Sequence, residues 1–335
     1  MSERERFLKQ FDALNVINFQ DFALNLFYYQ SKYNLVYKKY IQALNINPDS
    51  IKDLRSIPFL PIDFFKRHRV ITSNNGLQNF DAIFESSGTG SGISSKHYIP
   101  NLNHYLAHAQ HIFEEQYGKL EDFIILALLP SYLERKGSSL VAMVDDFIKK
   151  TKSSESGFYL SNLEELIKKV TELKAQNNGK KIIIWGVSFA LLDLAENYEV
   201  DFSDCIIMET GGMKGRRKEI TREELHSILC EGLNVPAIHS EYGMTELLSQ
   251  SYSQGKGFFE PSHSMKILVR EVNDPFDIKF SDKRSGGLNV IDLANIDSCA
   301  FIETQDVGLV HENGHFQVLG RFDNSDIRGC NLMVI

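Results

Sequence analysis

Between residues 80 and 240, short apolar runs alternate with stretches in which apolar residues recur at helical spacing. The apolar runs cover residues 82–85, 123–129, 181–185, 205–209 and 237–239. The helical stretches between them cover residues 104–117, 139–150, 162–176, 189–198 and 222–231. Strands that alternate with helices in this way predict an α/β fold with a mostly parallel sheet covered by helices.

The flanking regions have different patterns. Residues 1–45 show helical periodicity, and the two prolines within residues 57–66 predict an extended connector. After residue 260 the sequence predicts short strands joined by turns, at residues 265–270, 287–292, 300–303, 308–311 and 315–319. We therefore expect a helical region and connector over residues 1–79, an α/β core over 80–260, and a small antiparallel β-rich subdomain over 261–335.

Composition excludes several classes of protein. The 36 basic and 44 acidic residues give a formal charge of −8, which argues against a nucleic-acid partner. The most apolar runs, residues 123–130 and 182–192, are shorter than the roughly 20 residues of a membrane span. The charged N-terminus lacks the apolar stretch of a signal peptide, and the four cysteines form no C-x-x-C pair. These features predict a cytoplasmic protein with reduced thiols.

A glycine-rich loop follows the predicted strand at residues 82–85. It reads Ser86-Ser87-Gly88-Thr89-Gly90-Ser91-Gly92, and such a loop can turn several N–H groups and hydroxyls toward a phosphate group. No lysine follows as in a P-loop, and Ile93 stands where a Rossmann fingerprint needs glycine or alanine. Taken alone, the loop is equally typical of a flexible surface segment.

Four further motifs follow in order, and together with the loop they carry a resemblance. They are Tyr242-Gly243-Met244-Thr245-Glu246, Thr304-Gln305-Asp306 at the expected end of a strand, Gly320-Arg321-Phe322-Asp323, and Asp326-Ile327-Arg328-Gly329. In this order and spacing they resemble the signature set of the adenylate-forming superfamily, the acyl-CoA synthetases and adenylation domains. Gln305 departs from that pattern, since glycine is usual at its position.

Two features narrow the resemblance to the acyl-protein synthetases, the LuxE family of bacterial bioluminescence. Residues 57–66, Ile-Pro-Phe-Leu-Pro-Ile-Asp-Phe-Phe-Lys, resemble that family's P-F-L-P-I-x-x-F-K signature. Cys330 lies five residues from the end of the sequence, where the family carries an acylated cysteine. We also expect the chain to lack the mobile C-terminal domain and the catalytic lysine of most superfamily members.

The resemblance implies activation of a carboxylic acid, expected to be a fatty acid, by ATP and Mg²⁺ to form an acyl adenylate. The glycine-rich loop would hold the β- and γ-phosphates through Ser86, Ser87, Gly88, Thr89 and Gly90. Thr245 would bind the α-phosphate and Glu246 the Mg²⁺ ion, which prefers oxygen ligands.

The same resemblance assigns the nucleoside part of ATP to residues 80–260 and to the motifs at residues 304–306 and 320–323. Asp306 would accept hydrogen bonds from the ribose hydroxyls, Arg321 would contact ribose or phosphate, and Asp323 marks the hinge position. The adenine would lie on the Gly211-Gly212 turn, with Tyr242 stacked on it beside Gly243. Singly, each of these residues also suits an ordinary turn or helix start.

Cys330 would take the acyl group from the adenylate as a thioester and pass it to a partner, an acyl reductase or another acyl-acceptor protein. Arg328 nearby favours the thiolate. The alternative is an inert terminal cysteine. Cys205 and Cys299 lie in apolar strand patterns and are expected in the core, and Cys230 on a helix is expected to pack.

Four other interpretations remain open. The chain could be an acyl- or aryl-CoA ligase of the phenylacetate-CoA ligase type, or a non-catalytic scaffold that binds nucleotide or acyl groups. Trp185-Gly186-Val187-Ser188-Phe189-Ala190 is a loosened nucleophile elbow, for which His239 or His263 could serve as base. His104, His108 and His111 share one helix face, which favours a solvated face over a zinc site.

Overall fold

A computed structural model describes the chain except for residues 74–75, 87–92, 130–136, 161, 177–178, 214–216, 219 and 323–335. The helices are α1 (Glu3–Phe11), α2 (Phe19–Tyr33), α3 (Leu35–Ala43), α4 (Phe64–Arg67), α5 (Leu102–Tyr117), α6 (Ser139–Lys150), α7 (Leu163–Gln176), α8 (Ser188–Asn197) and α9 (Arg222–Leu233). The strands are β1 (Leu60–Pro61), β2 (Ala82–Glu85), β3 (Lys96–Ile99), β4 (Phe123–Leu128), β5 (Gly157–Tyr159), β6 (Lys181–Val187), β7 (Cys205–Thr210), β8 (His239–Tyr242), β9 (Ser251–Ser253), β10 (Glu260–Pro261), β11 (Met265–Arg270), β12 (Ile278–Lys279), β13 (Gly286–Asp292), β14 (Phe301–Val310) and β15 (Phe316–Arg321).

The larger sheet has seven strands in the order β10-β9-β8-β7-β6-β4-β5. Five adjacent strands, β8, β7, β6, β4 and β5, run parallel, and β9 and β10 add an antiparallel edge beside β8. Every residue of β4 is buried, as is every residue of β6 after Lys181, as expected for parallel strands covered by helices. The predicted α/β fold with a mostly parallel sheet is confirmed.

The second sheet, β1-β14-β13-β11-β12 with β15 beside β14, is antiparallel apart from the β1–β14 pair. One expectation was wrong here: residues 300–303 and 308–311 do not form separate strands, because β14 continues through both. Asp306 therefore lies inside a strand and not at its end. A bulge between Val307 and Gly308 keeps β15 paired, and Gly308 lies so close to Gln317 that a Cβ would be 2.1 Å from its carbonyl oxygen.

The N-terminal helices pack on the second sheet through aromatic rings. Phe27 and Tyr37 both contact the ring of Phe301, the first residue of β14. The proline-rich connector then adds β1 to the edge of β14, with Leu60 opposite Ile302. The connector is thus extended as predicted at β1, and it turns into helix α4 directly afterwards.

The strand β3 was not predicted, because Lys96 and His97 interrupt the apolar pattern. It pairs with β2 as an antiparallel hairpin, with Glu85 opposite Lys96. The glycine-rich loop connects these two strands. In the part of the chain that the structure describes, no helix combines the length and apolar character needed to cross a bilayer.

Candidate active site

The carboxyl ends of β7 and β8 lie side by side in the larger sheet, with Thr210 opposite Glu241. Gly211 follows β7 with a φ of 78°, a left-handed conformation that favours glycine. Gly243 follows β8, and a Cβ there would lie 2.3 Å from Oε1 of Glu241. Both glycine turns therefore sit at the edge of the sheet where ligands bind in open α/β folds.

The turn that carries Thr245 and Glu246 is attached to the β2–β3 hairpin. Nδ1 of His97 lies 2.9 Å from the carbonyl oxygen of Thr245, and the Ser95 hydroxyl hydrogen-bonds to the Glu246 carboxylate. A carbonyl oxygen can only accept, so Nδ1 of His97 carries the proton. These contacts bring the base of the glycine-rich loop beside the Thr245–Glu246 turn, a link that sequence reasoning missed.

His97 is an uncharged structural donor. Burial lowers its pKa from 6.5 to about 4, an effect that the hydrogen bond to Thr245 opposes only in part. The ring is 1% exposed and packs edge-on against Phe65 of α4. At neutral pH the imidazole therefore holds the Thr245 turn without adding charge to the site.

Glu246 is almost completely buried, with 5% of its surface exposed. Burial raises the pKa of its carboxyl group, and the Ser95 hydroxyl, Arg321 and Lys66 act in the opposite direction. Its backbone carbonyl accepts a hydrogen bond from Asn295 Nδ2 at 2.9 Å. An ionised carboxylate offers about four acceptor positions, so capacity remains for a cation.

Asp306 is held by two side chains. Oδ2 accepts a hydrogen bond from the Tyr242 hydroxyl at 2.8 Å, and Oδ1 accepts one from Nε of Arg321 at 2.8 Å. Burial, and secondarily the Asp306 carboxylate, raise the pKa of Tyr242 well above its usual range, so its hydroxyl stays protonated and donates. The Tyr242 ring packs against Phe259 and Phe316, and its stacking on adenine stays a prediction.

The proline-rich segment brings two more charged side chains to this region. Lys66 forms an ion pair with Asp63 at 2.7 Å and acts electrostatically on Glu246. Asp63 also accepts a hydrogen bond from Gln305 Nε2 at 3.3 Å. Sequence reasoning used this segment only to identify the family. The charged residues just after its second proline were the signal for a role in the site.

The glycine-rich loop is described only at its base. Ser86 and Ser95 form two hydrogen bonds across the hairpin, from Ser86 N to Ser95 O at 3.1 Å and from Ser95 N to Ser86 Oγ at 2.9 Å. The predicted phosphate-binding residues Ser87, Gly88, Thr89 and Gly90 lie outside the described residues, as do Asp323, Arg328 and Cys330.

Ser188, the serine of the loosened nucleophile elbow, faces a carboxylate. It is 1% exposed and donates a hydrogen bond to Oε1 of Glu209, whose Oε2 lies 3.0 Å from Arg222. The two candidate bases have other partners: His239 contacts the Tyr117 hydroxyl and His263 contacts Glu115. This geometry argues against the hydrolase interpretation.

The expectation of a solvated histidine face on α5 was wrong for His104 and His108, whereas His111 is exposed. His108 is buried, with Nε2 at 3.0 Å from the hydroxyls of Ser249 and Ser264, and His104 packs against Phe11. Tertiary packing covers a helix face whose sequence looks polar. The interpretation of Cys205, Cys299 and Cys230 is confirmed, because Cys205 and Cys299 are buried and Cys230 packs at the edge of the core.

Taken together, the described residues offer two carboxylates to a ligand, Glu246 and Asp306, with the Arg321 guanidinium beside them. A buried carboxylate with spare acceptor positions suits Mg²⁺, a hard ion that prefers oxygen ligands. Asp306 suits a vicinal pair of hydroxyls, because each of its oxygens still has a free acceptor position. The residues present therefore fit a magnesium–nucleotide ligand.

Comparison with solved structures shows which known fold the chain has. ATP-bound MatB from Rhodopseudomonas palustris matches with a TM-score of 0.52 and 14% identity, over 75% of this chain and 50% of that one. The o-succinylbenzoate coenzyme A synthetase MenE from Bacillus subtilis, in complex with AMP, matches with a TM-score of 0.50 and 17% identity, over 75% of this chain and 51% of that one. The chain has the fold of the adenylate-forming acyl-CoA synthetases, and it spans about half the length of the structures it matches.

The family follows from a whole-chain comparison. The family profile "Acyl-protein synthetase, LuxE" matches residues 12–335. The chain belongs to the LuxE acyl-protein synthetase family, as its motifs predicted. Comparison with curated proteins gives no match.

Proposed function

We propose that the protein is an ATP-dependent acyl-protein synthetase. A carboxylate oxygen of the acid, expected to be a fatty acid, attacks the α-phosphorus of ATP, and pyrophosphate leaves as the acyl adenylate forms. The Cys330 thiolate then attacks the acyl carbon, the bond from that carbon to the AMP oxygen breaks, and AMP leaves. The thioester passes its acyl group to an acceptor protein, such as an acyl reductase.

One observation carries this proposal: His97 and Ser95, beside the glycine-rich loop, contact the Thr245–Glu246 turn, and Asp306 binds Tyr242, which precedes that turn. Adenylation is a displacement at phosphorus in which charge spreads over oxygen atoms, so fixed donors and charges suffice. Thr245 would donate to the α-phosphate, Asp306 would orient the ribose, and Arg321 would offset negative charge. Mg²⁺ held by Glu246 would neutralise charge on the phosphates.

Burial supports the division of roles among these residues. Thr245 is half-buried and belongs to a turn that His97 and Ser95 hold in place. Arg321 is 65% exposed on its side chain while its partner Asp306 is 6% exposed, so the ion pair opens toward solvent on one side only. A ligand that approaches from that side meets Arg321 first and the oriented carboxylate behind it.

The test is intact-protein mass together with pyrophosphate release, with ATP, Mg²⁺ and a panel of fatty and aromatic acids. We expect an ATP-dependent, hydroxylamine-labile acyl adduct that disappears in Cys330→Ser, while pyrophosphate release persists. Cys230→Ser is the matched control and keeps the adduct. Pyrophosphate release that yields acyl-CoA and no adduct would indicate a CoA ligase. No signal with any acid would favour a binding scaffold.

A further inference from the structure

One turn after the buried His108 on α5, three side chains that commonly bind metals meet at the surface. His111 and Glu115 are four residues apart on α5 and so share one face of the helix. His263 comes from the short turn between β10 and β11. Nε2 of His111 lies 3.3 Å from Oε1 of Glu115, and Nδ1 of His263 lies 3.2 Å from Oε2.

We propose that His111, Glu115 and His263 form a zinc-binding site, separate from the candidate active site. One ligand atom from each residue lies within 4.8 Å of the other two. In a tetrahedral site with zinc bonds of about 2.0–2.1 Å, ligand atoms lie roughly 3.3 Å apart, so the distances from each histidine to Glu115 need little adjustment. Two histidines and one glutamate are a set that zinc takes with water as fourth ligand.

The turn that holds His263 is rigid. Its neighbours Ser262 and Ser264 are buried and their hydroxyls lie 3.1 Å apart, and the Met265 N–H donates to the Ser262 carbonyl oxygen at 2.9 Å. Behind His263, the His108 ring contacts it edge-on at 5.8 Å. The ligands therefore sit on a helix and a fixed turn, as a preformed metal site requires.

Two surface ion pairs explain this cluster less well than a metal does. The rings of His111 and His263 lie 5.2 Å apart around a single carboxylate. Ion pairing with Glu115 requires protonated rings, and two such cations at this distance repel each other. Zinc instead binds neutral imidazoles, which do not repel each other, and the single carboxylate balances part of its charge.

The exposure of the three side chains matches a site that opens to water. His263 is 21% exposed, Glu115 43% and His111 59%. Bound zinc would connect α5 to the turn between the two sheets, and it would stabilise the folded chain because the unfolded chain has no such arrangement. Mg²⁺ would not compete, because it prefers oxygen ligands and near-octahedral geometry.

The test measures zinc affinity by competition with a chromogenic chelator, in excess Mg²⁺, for the full chain. We expect one zinc per chain, and a loss of affinity of more than about 100-fold in His111→Ala and His263→Ala, beyond what loss of an outer hydrogen-bond partner costs. Glu115→Gln should also weaken binding. His315→Ala, which removes a histidine from the β14–β15 turn, should bind as wild type does. Zinc should raise Tm in the wild type and in His315→Ala, but not in His111→Ala or His263→Ala.

Three outcomes would overturn the site: no zinc uptake by the wild type, unchanged affinity in His263→Ala, or loss of zinc in Cys330→Ser, which would assign the metal to a thiolate. Circular dichroism shows whether His263→Ala is folded, and a misfolded variant is set aside. In that case His111→Ala and Glu115→Gln decide, since both side chains are exposed.

Discussion

Two buried aspartates on adjacent strands of the second sheet have opposite environments. Asp292 ends β13 and is fully buried; Asp306 lies within β14 and is 4% exposed. Asp292 accepts four hydrogen bonds, from Leu248 N at 2.7 Å, Ser249 N at 3.0 Å, Ser249 Oγ at 2.6 Å and Ala294 N at 3.1 Å. Asp306 accepts one hydrogen bond on each oxygen from side chains, Tyr242 and Arg321.

The difference separates a structural carboxylate from one that can bind a ligand. Four donors fill the acceptor positions of Asp292, three of them backbone N–H groups that cannot move away. Asp306 keeps a free position on each oxygen, and one of its partners is exposed. Asp292 also braces Leu248 and Ser249, which directly follow the Thr245–Glu246 turn. The structural carboxylate of Asp292 thus supports the site to which Asp306 belongs.

The largest effect that tests this comparison is expected for Asp292→Asn. An amide has one oxygen, so its NH₂ group would face donors that now bind a carboxylate oxygen. At about 1–3 kcal/mol for each unsatisfied buried group, we expect a loss of roughly 3–5 kcal/mol in the free energy of unfolding. Urea denaturation followed by circular dichroism measures this loss.

Asp306→Asn is the matched control for stability. The Tyr242 hydroxyl can turn to accept from the new amide, and Arg321 can be hydrated, so we expect a change of about 1 kcal/mol or less. Equal losses of unfolding free energy in the two variants would remove the distinction between a structural carboxylate and one that can bind a ligand.

The pH dependence of stability tests the link through His97. Its pKa is about 4 when folded and 6.5 normally, so between these values the unfolded chain binds more protons. Stability therefore rises with pH across this window and is lost as the pH falls through it. His97 accounts for about 3 kcal/mol of this change, at 1.36 kcal/mol for each pKa unit.

His97→Asn should flatten that pH profile while Asn keeps an N–H donor for the Thr245 carbonyl. Unfolding free energies at several pH values between 4 and 7 give the slope directly. Burial also lowers the pKa of His226 to about 4, and this histidine lies away from the hairpin. The pH profile of His226→Asn is therefore compared with that of His97→Asn. A profile in His97→Asn as steep as the wild type's would show that the histidine does not stay neutral.

The smallest effect concerns catalysis and rests on the proposed function. Asp306→Asn keeps the shape of the site but replaces charged hydrogen bonds to ribose by neutral ones. The difference of about 1–2 kcal/mol predicts a roughly 5- to 30-fold fall in kcat/KM for ATP. Steady-state pyrophosphate release measures it. An unchanged kcat/KM in a folded variant would exclude Asp306 from nucleotide binding.

Local sequence patterns were sufficient to predict the fold class and the family. Apolar runs such as residues 123–129 predict strands that are covered by helices, because strands buried on both faces lack the alternation with polar residues. The motifs at residues 242–246 and 320–323 combine turn residues with charged residues, a pattern that led to the family. Patterns failed where polar residues are buried, as at β3 and on the His108 face of α5, because their partners are distant in sequence.

The sequence by itself determined which strands would be buried, which turns need glycine, and which chemistry-bearing residues the chain carries. The tertiary structure alone decided which of them meet. His97 reaches the Thr245 turn across 148 positions, and His263 reaches Glu115 across the same separation. The physical reason is that short-range patterns report the burial of single elements. Hydrogen bonds between remote side chains depend instead on how the two sheets pack, and no local pattern encodes that.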